Sequence, residues 1–548
     1  MASEGSILTQ VDSQLDQFLS SWDIYSTTLA LLLVTFLVYP LFFSKDPDTH
    51  PLLLARQASA SQVRQPGESA TYRSLEVPHG HPLRSGLNVK DAGAPKWAAG
   101  KDGDLRDVWK QALKGVGGKN EDTLRVVSVL GNEVKEWKPK DLMLEINLLG
   151  EFLKRNGSRR VAIHLPNTVE FIVAFFACVF YGLTPVLIPQ GIDQAKLANI
   201  LMEVKADVLL APAGIHSSEE LLQYSPCVKR IIWIVEKTSR QMDWMQGPQS
   251  PGGSVQVDLW HDVVDPTGQA VTSDPPAEVT GFKVPSIISL CPKHGGVDFS
   301  VMEYSQLNIV AAVAAQISAL PRLNKLEHSD LVLSLDSLTS IFPLTVTLAA
   351  LFSNASIALT SVAGTGADYA SAFQSVSPTV IVATDETMAT AEKKWTKPSA
   401  INIVQRVDRT TAKSALLAGR MPKASRGSGP RLIYISSSTE SGSCLDAATL
   451  EEVRLMTHAR IIHALTSPEV AGAVAQTNML DYRIDKSHFG PPLSCVELKL
   501  VDAPGHKISD DGDVKGEILV SGPAVVSGER KLGVIGHIRD DATLTVVS

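Results

Sequence analysis

The sequence predicts an α/β protein: a large body built on parallel β-sheet with helices on both faces, preceded by one transmembrane helix. Three observations carry this reading. Short, wholly apolar runs alternate with helix-length segments between residues 141 and 436, the pattern of strands buried on both faces. The stretch Ile24–Phe43 contains no charged residue and is long enough to cross a bilayer. The chain of 548 residues is 44% hydrophobic and 20% charged, which supplies a large core and excludes a disordered chain.

Residues 1–23 hold Glu4, Asp12, Asp16 and Asp23 and no Lys or Arg. The basic n-region of a cleaved leader is missing, so Ile24–Phe43 reads as an uncleaved anchor, with a buried core helix as the alternative. The first basic residues, Lys45, Arg56 and Arg64, all follow the span. The positive-inside rule then places the short acidic tail 1–23 across the membrane and the body in the cytosol, with the endoplasmic reticulum the expected membrane. Residues 44–124 are rich in Pro, Gly, Ser, Ala and charge and read as a juxtamembrane connector, with a short helix over Leu105–Leu113.

From about residue 125 the pattern becomes regular. Helical periodicity over 141–157 stops at Gly157, "VAIHL" (161–165) is an apolar strand, and Thr168 opens an apolar helix to Gly182. Strand 184–188, helix 193–205 and strands 207–211 and 231–235 follow. Later runs at 331–335, 355–359, 378–383 and 431–436 repeat the theme. Two polar, Pro/Gly-containing stretches, 245–281 and 395–430, read as surface loops.

Composition narrows the function classes. A net charge of −8, without basic runs, gives no reason to expect nucleic acid as a partner. The five cysteines, at 178, 227, 291, 444 and 495, form no CxxC pair, which points to a reduced body and argues against a zinc site.

The stretch "ISLCPKHGGVDFSVMEYSQLN" (288–308) has the rhythm of a phosphate-binding loop, a strand running into glycines and then a helix. Together with "VAIHLPNTVEFIVAFFACVFYGLTPVLI", "ANILMEVKADVLLA", "DYRIDKSHFGPPLSCVELKLVD", "GEILVSGPAVVSG" and "GVIGHIRDDATLTVVS", it resembles the large domain of AMP-forming acyl-CoA synthetases. The resemblance covers about residues 125–548. It implies stacked α/β sheets plus a distorted β-barrel, and a span before such a domain is similar to membrane-bound long-chain fatty acyl-CoA synthetases. The family's C-terminal small domain is expected to be absent from this chain.

The resemblance also implies a chemistry: a carboxylate joined to ATP, pyrophosphate released, and the acyl group passed to CoA. Against it the residues depart from the pattern. The phosphate cradle, Y-T-S-G-S/T-T-G-x-P-K-G in the family, falls on Ser289–Phe299, where only Gly295 matches. Pro292 removes an N–H, and Asp298 puts a negative charge at the lysine position. Lys293 is the candidate substitute cation, and Gly296 a further loop glycine. Ser436, Ser437 and Ser438 stand at the glycine-rich turn of the nucleotide site, followed by Thr439. "LTSPE" (465–469) stands at the Y-G-x-T-E motif and keeps only Glu469, the candidate magnesium ligand. Val534 stands at the ribose-binding aspartate, and Thr339 at a position in the acyl region that often carries histidine.

The leading expectation is a membrane-anchored synthetase-like protein that is catalytically impaired, needs no cofactor, and binds a fatty acid, an acyl-CoA or a protein partner. The alternative is an active long-chain fatty acid–CoA ligase using ATP and Mg through a variant site. A ligand-free scaffold is the third reading.

Overall fold

The computed structural model describes residues 16, 20, 22–43, 46–90, 93–95, 97–115, 124–130, 133–214, 227–235, 255–267, 271–277, 284–293, 298–364, 366–395, 403–422, 429–442, 444–483, 487–508 and 514–547. The chain divides into two compact units, Met1–Asp48 and Thr49–Ser548. In the first, a 20-residue helix forms over Ile24–Phe43, at the expected limits. Asp23 starts it by accepting the Ser26 N–H at 2.8 Å, which satisfies one donor of the first turn. Among the described residues no helix is long and apolar enough to cross a membrane.

The second unit holds three sheets. The eight-stranded sheet runs in the order 473–476, 460–466, 432–438, 380–384, 331–334, 356–360, 126–130, 133–137. Its six inner strands are parallel, and its two outermost strands are antiparallel to their neighbours. The seven-stranded sheet is parallel from 287–292 through 184–187, 160–163, 208–212 and 230–234 to 256–259, with 299–304 antiparallel at one edge. The strands at 160–163, 184–187, 208–212, 230–234, 331–334, 356–360, 380–384 and 432–438 are the apolar runs expected from the sequence, shifted by one or two residues at their ends, whereas those at 126–130, 133–137, 256–259, 299–304, 460–466 and 473–476 were not anticipated. The side chains of the central strands are buried because helices such as Val169–Tyr181 and Ile341–Phe352, themselves almost wholly buried, fill the space against the sheets. Gly150, in the middle of helix Pro139–Arg155, has a packing reason. A Cβ there would lie 2.1 Å from the Tyr181 ring, so glycine lets the two helices close.

The barrel implied by the resemblance takes the form of a six-stranded antiparallel sheet, ordered 58–60, 72–74, 497–501, 515–521, 530–538, 544–546. Its first two strands correct the expectation of a connector over 44–124. Tyr72 pairs with Leu498, the Gln57 N–H donates to the Asp541 carbonyl at 2.8 Å, and the folded unit begins at Thr49. Strands of three residues are too short to show a period, and the strand that joins this hairpin to the sheet, 497–501, lies more than 400 residues away in sequence.

The helix expected at Leu105–Leu113 forms over Leu105–Lys114 behind an Asp104/Asp107 capping box. It buries Leu105, Val108, Trp109 and Ala112 in the main core. The two stretches read as loops also carry structure. Strand Gln256–Leu259 and helix Trp260–Val263 lie in the first, and helix Ile403–Leu417 in the second.

Candidate functional site

In the eight-stranded sheet, strand Leu331–Ser334 is followed by its neighbour on one side, Ser356–Thr360, and then by its neighbour on the other, Val380–Thr384. Such a switch opens a crevice at the carboxyl ends of the strands, where α/β sheets bind ligands. Asp336, Asp385 and Glu386 stand at this crevice, and Ser436–Thr439 and Thr466–Glu469 end the next two strands outward. The hairpin 287–304 of the seven-stranded sheet reaches the same edge. Ser289 Oγ donates to the Thr339 carbonyl at 2.9 Å, and Tyr304 OH donates to the Pro468 carbonyl at 2.7 Å.

The loop itself differs from a strand running through glycines into a helix. Strand Ile287–Pro292 turns back as strand Phe299–Tyr304, and the helix starts only at Gln306. The Lys293 N–H donates to the Asp298 carbonyl at 2.8 Å and closes the turn. Lys293 and Asp298 are both exposed, whereas Gly295 and Gly296 lie outside the described residues. Phe299 pairs with Pro292 in the ladder and packs against the core of the seven-stranded sheet. Its bulk therefore serves the sheet at a position where the family's glycine would approach phosphate.

The other candidates are brought to the same edge, but their polar groups are engaged by the protein. Ser437 is buried and its hydroxyl lies 2.9 Å from His463 Nε2. Burial pushes the His463 imidazole down to about 3, with His488 and Arg454 adding to the effect, so this is a neutral hydrogen bond at physiological pH. Ser436 is buried with its hydroxyl toward the Ala383 carbonyl at 3.5 Å, and Ser438 Oγ accepts the Glu440 N–H at 3.2 Å. Ser467 Oγ donates to Glu469 Oε2, and the Glu469 carbonyl accepts the Val526 N–H at 2.9 Å. Thr339 is buried with its hydroxyl 2.8 Å from Ser337 Oγ. Leu465 is core, and Val534 packs against that core. Neither offers an acceptor to a ribose.

Two residues at this edge were not anticipated from sequence: Asp336 and Asp385. They follow strands far apart in the chain and become neighbours only because those strands pair. Burial pushes the partly exposed Asp336 carboxyl up to about 6; the Ser337 N–H pulls it back, and Asp385 and Glu386 raise it further. Along the hairpin, burial pushes the Cys291 thiol up to about 11. Hydrogen bonds from Tyr304 and Ser289 counter this, and Glu469 and Glu440 add to it. Asp385 and Glu386 lie close enough to Asp336, and Glu440 and Glu469 close enough to Cys291, to oppose their ionisation, and carboxylates along this edge oppose the approach of a polyphosphate. Among the described residues no cluster of His, Cys, Asp and Glu has the geometry to hold a metal ion.

The Asp336 environment has a consequence for stability. A carboxyl harder to ionise folded than unfolded binds more protons in the folded state, so stability falls as pH rises from about 4 to about 6 and is not regained above. Asp336→Asn keeps an acceptor for the Ser337 N–H, which Asp336 Oδ1 now accepts at 2.7 Å. It is expected to remove that decline and to raise stability at pH 8 by about 2 kcal/mol, less than the full shift would give because the site is partly open to solvent. Urea unfolding of both proteins between pH 4 and pH 8 measures this.

Two mixed, largely parallel sheets, a hairpin reaching the switch point and an antiparallel sheet make up the α/β fold of adenylate-forming enzymes. Solved structures share this architecture. A long-chain-fatty-acid-CoA ligase (FadD1) from Archaeoglobus fulgidus superposes with TM-score 0.58 at 14% identity, over 85% of this chain and 86% of that one. A luciferase-like enzyme from the mealworm Zophobas morio gives 0.59 at 11% identity, over 85% and 98%. The family model for AMP-binding enzymes matches residues 119–278 and 301–528, and the chain belongs to that family. The unmatched segment between them, 279–300, contains the whole of Ser289–Phe299. Among curated proteins, acetyl-coenzyme A synthetases of Mycobacterium bovis and Mycobacterium tuberculosis are 26% identical over 150 residues, 25% of this chain. The match spans 22% of the length of those relatives.

Proposed function

We propose that this protein is a membrane-anchored member of the AMP-binding family whose nucleotide chemistry is impaired and whose retained fold holds a fatty acyl ligand or presents a partner surface. The observation that carries the reading is the self-occupied nucleotide site. Ser437 is bonded to His463 and Glu469 to Ser467, acidic residues stand along the same edge, and Asp298 stands at the lysine position of the cradle. The residues present do not fit ATP and Mg: Glu469, the carboxylate at the metal-ligand position of the motif, is already held by Ser467, and the acidic residues of this edge oppose the phosphates. This set of side chains therefore supports no step of adenylate formation. The acyl ligand is supported by the fold shared with a long-chain-fatty-acid-CoA ligase, and the anchor by the uncharged helix Ile24–Phe43 with basic residues only after it.

A second reading, an active fatty acid–CoA ligase, has Lys293 and Glu469 in its favour, since an exposed cation next to the turn and a carboxylate at the motif position are what a variant site would use. Fatty-acid-dependent ATP–pyrophosphate exchange separates the two. The impaired reading expects exchange no higher than a heat-inactivated control. A rate well above it restores the ligase. Removing one preorganised stabiliser costs about 10²–10³ in rate, so losing several at once should leave no detectable exchange.

A further inference from the structure

Helix Ile341–Phe352 starts beside the crevice, just after Thr339, and its 12 residues carry the chain about 18 Å away to Phe352. Phe352 lies in the wall of a separate pocket of about 330 Å³. The other walls are helix Leu105–Lys114 and the loop 87–90. That loop has a fixed course. The Leu87 N–H donates to the Asp102 carbonyl at 2.8 Å, Val89 and Lys101 exchange backbone bonds at 2.9 and 2.8 Å, and Asn88 Oδ1 accepts the Gly100 N–H at 2.7 Å. A Cβ on Gly100 would lie 2.5 Å from the Asn88 backbone, so glycine there lets the wall close.

The lining divides by chemistry. Leu87, Val89 and Phe352 are apolar, Gln111 supplies an amide, and Lys90, Lys110 and Lys114 supply ammonium groups. Lys110 and Lys114 are four residues apart and so share one face of the helix. The one carboxylate of the lining, Asp107, accepts the Asp104 N–H at 2.9 Å in the capping box and lies 3.8 Å from Lys110 Nζ. Lys90 and Lys110 also interact elsewhere within the protein. Lys114 is exposed and joins no ion pair among the described residues. With the helix C-terminus contributing about half a negative charge, three ammonium groups against one carboxylate leave the lining positive in a chain of net charge −8.

We propose that this pocket binds a small organic phosphate monoester. Its phosphate sits among Lys110, Lys114 and Lys90, whose compact charges suit phosphate, and its organic part lies on Leu87, Val89 and Phe352. A monoester carries about −1.5 to −2 charges at pH 7, which matches the lining better than a monocarboxylate does. A volume of about 330 Å³ is at the low end for ligand pockets, which fits a compact monoester and not a nucleoside triphosphate. The pocket shares no residue with the crevice.

The test titrates the full chain calorimetrically with phenyl phosphate, inorganic phosphate and benzoate. Phenyl phosphate is expected to bind saturably, and the other two more weakly. Lys110→Gln with Lys114→Gln should weaken phenyl phosphate by about tenfold. Gln111→Trp, which keeps every lysine but fills the pocket, should weaken it as much, and Lys393→Gln, at an exposed position on another helix, should leave it unchanged. Urea midpoints matching the parent's separate a loss of binding from a loss of fold. No saturable binding of phenyl phosphate, or binding unaffected by the two lysine substitutions, overturns the proposal. Binding lost with the lysines but kept in Gln111→Trp reduces the site to surface charge and overturns the pocket. Benzoate binding as tightly as phenyl phosphate contradicts the phosphate, and inorganic phosphate doing so contradicts the organic part.

Discussion

Replacing Asp481 with alanine is expected to cost about 3–5 kcal/mol of folding stability, the scale for breaking a buried ionic network by removing one member. The Asp481 side chain is fully buried. It accepts from Gln57 at 2.8 Å and from Arg483 Nε at 2.8 Å and Nη2 at 2.5 Å, with His488 Nε2 at 3.4 Å. Arg483 also reaches Asp541 at 2.7 Å, so the alanine variant leaves a guanidinium and an amide without their main acceptor. Burial alone would raise the Asp481 carboxyl, but the bonds from His488 and Arg483 outweigh it and hold the group well below the usual carboxylate range. Its contribution is therefore present in full above about pH 4 and lost only as the pH falls far below that. Because Gln57 is one of the donors, limited proteolysis of Asp481→Ala should cut first within residues 49–60. A variant with an unchanged urea midpoint and cleavage pattern would mean that the network contributes nothing.

Trp109→Ala is expected to cost a comparable 3–5 kcal/mol, on the order of other large-to-small core changes. Trp109 is fully buried, with its ring 4.6 Å from that of Phe176, so the truncation opens a cavity between two helices of the main core. Its indole N–H has no partner among the described residues. Trp109→Phe, which removes that N–H along with some volume, should cost much less than the alanine change. Were residues 105–114 part of a connector, both variants would lie within about 0.5 kcal/mol of the parent, and urea unfolding distinguishes the cases.

Most of the parallel strands were legible because they are apolar along nearly their whole length and bounded by turn residues, so the helix–strand alternation survives in one dimension; Gln256–Leu259 and Arg460–Thr466, interrupted by Asp258 and His463, were not. The strands at 58–60 and 72–74 were not legible. Three residues carry no period, and Tyr72 is a strand residue because of Leu498. Strand Phe299–Tyr304 was hidden by the glycines before it, which suggested a loop leading into a helix. The departures from the family's site at Pro292, Asp298, Leu465 and Val534 could be read directly, since each is a matter of residue type at a motif position. What engages the side chains at these positions could not be read. The Ser437–His463 pair depends on the ladder that aligns strands 432–438 and 460–466, and the Asp336–Asp385 pairing depends on a strand order that only the fold supplies.

If the family fold persists here around a site that no longer accepts nucleotide, isothermal titration of the full chain with Mg-ATP should show it. Across micromolar to low-millimolar ATP, the expected result is no saturable heat beyond dilution, for the parent and for Ser437→Ala alike. Saturable binding in the micromolar range, about −8 kcal/mol, would contradict this reading and establish the crevice as a working ATP site.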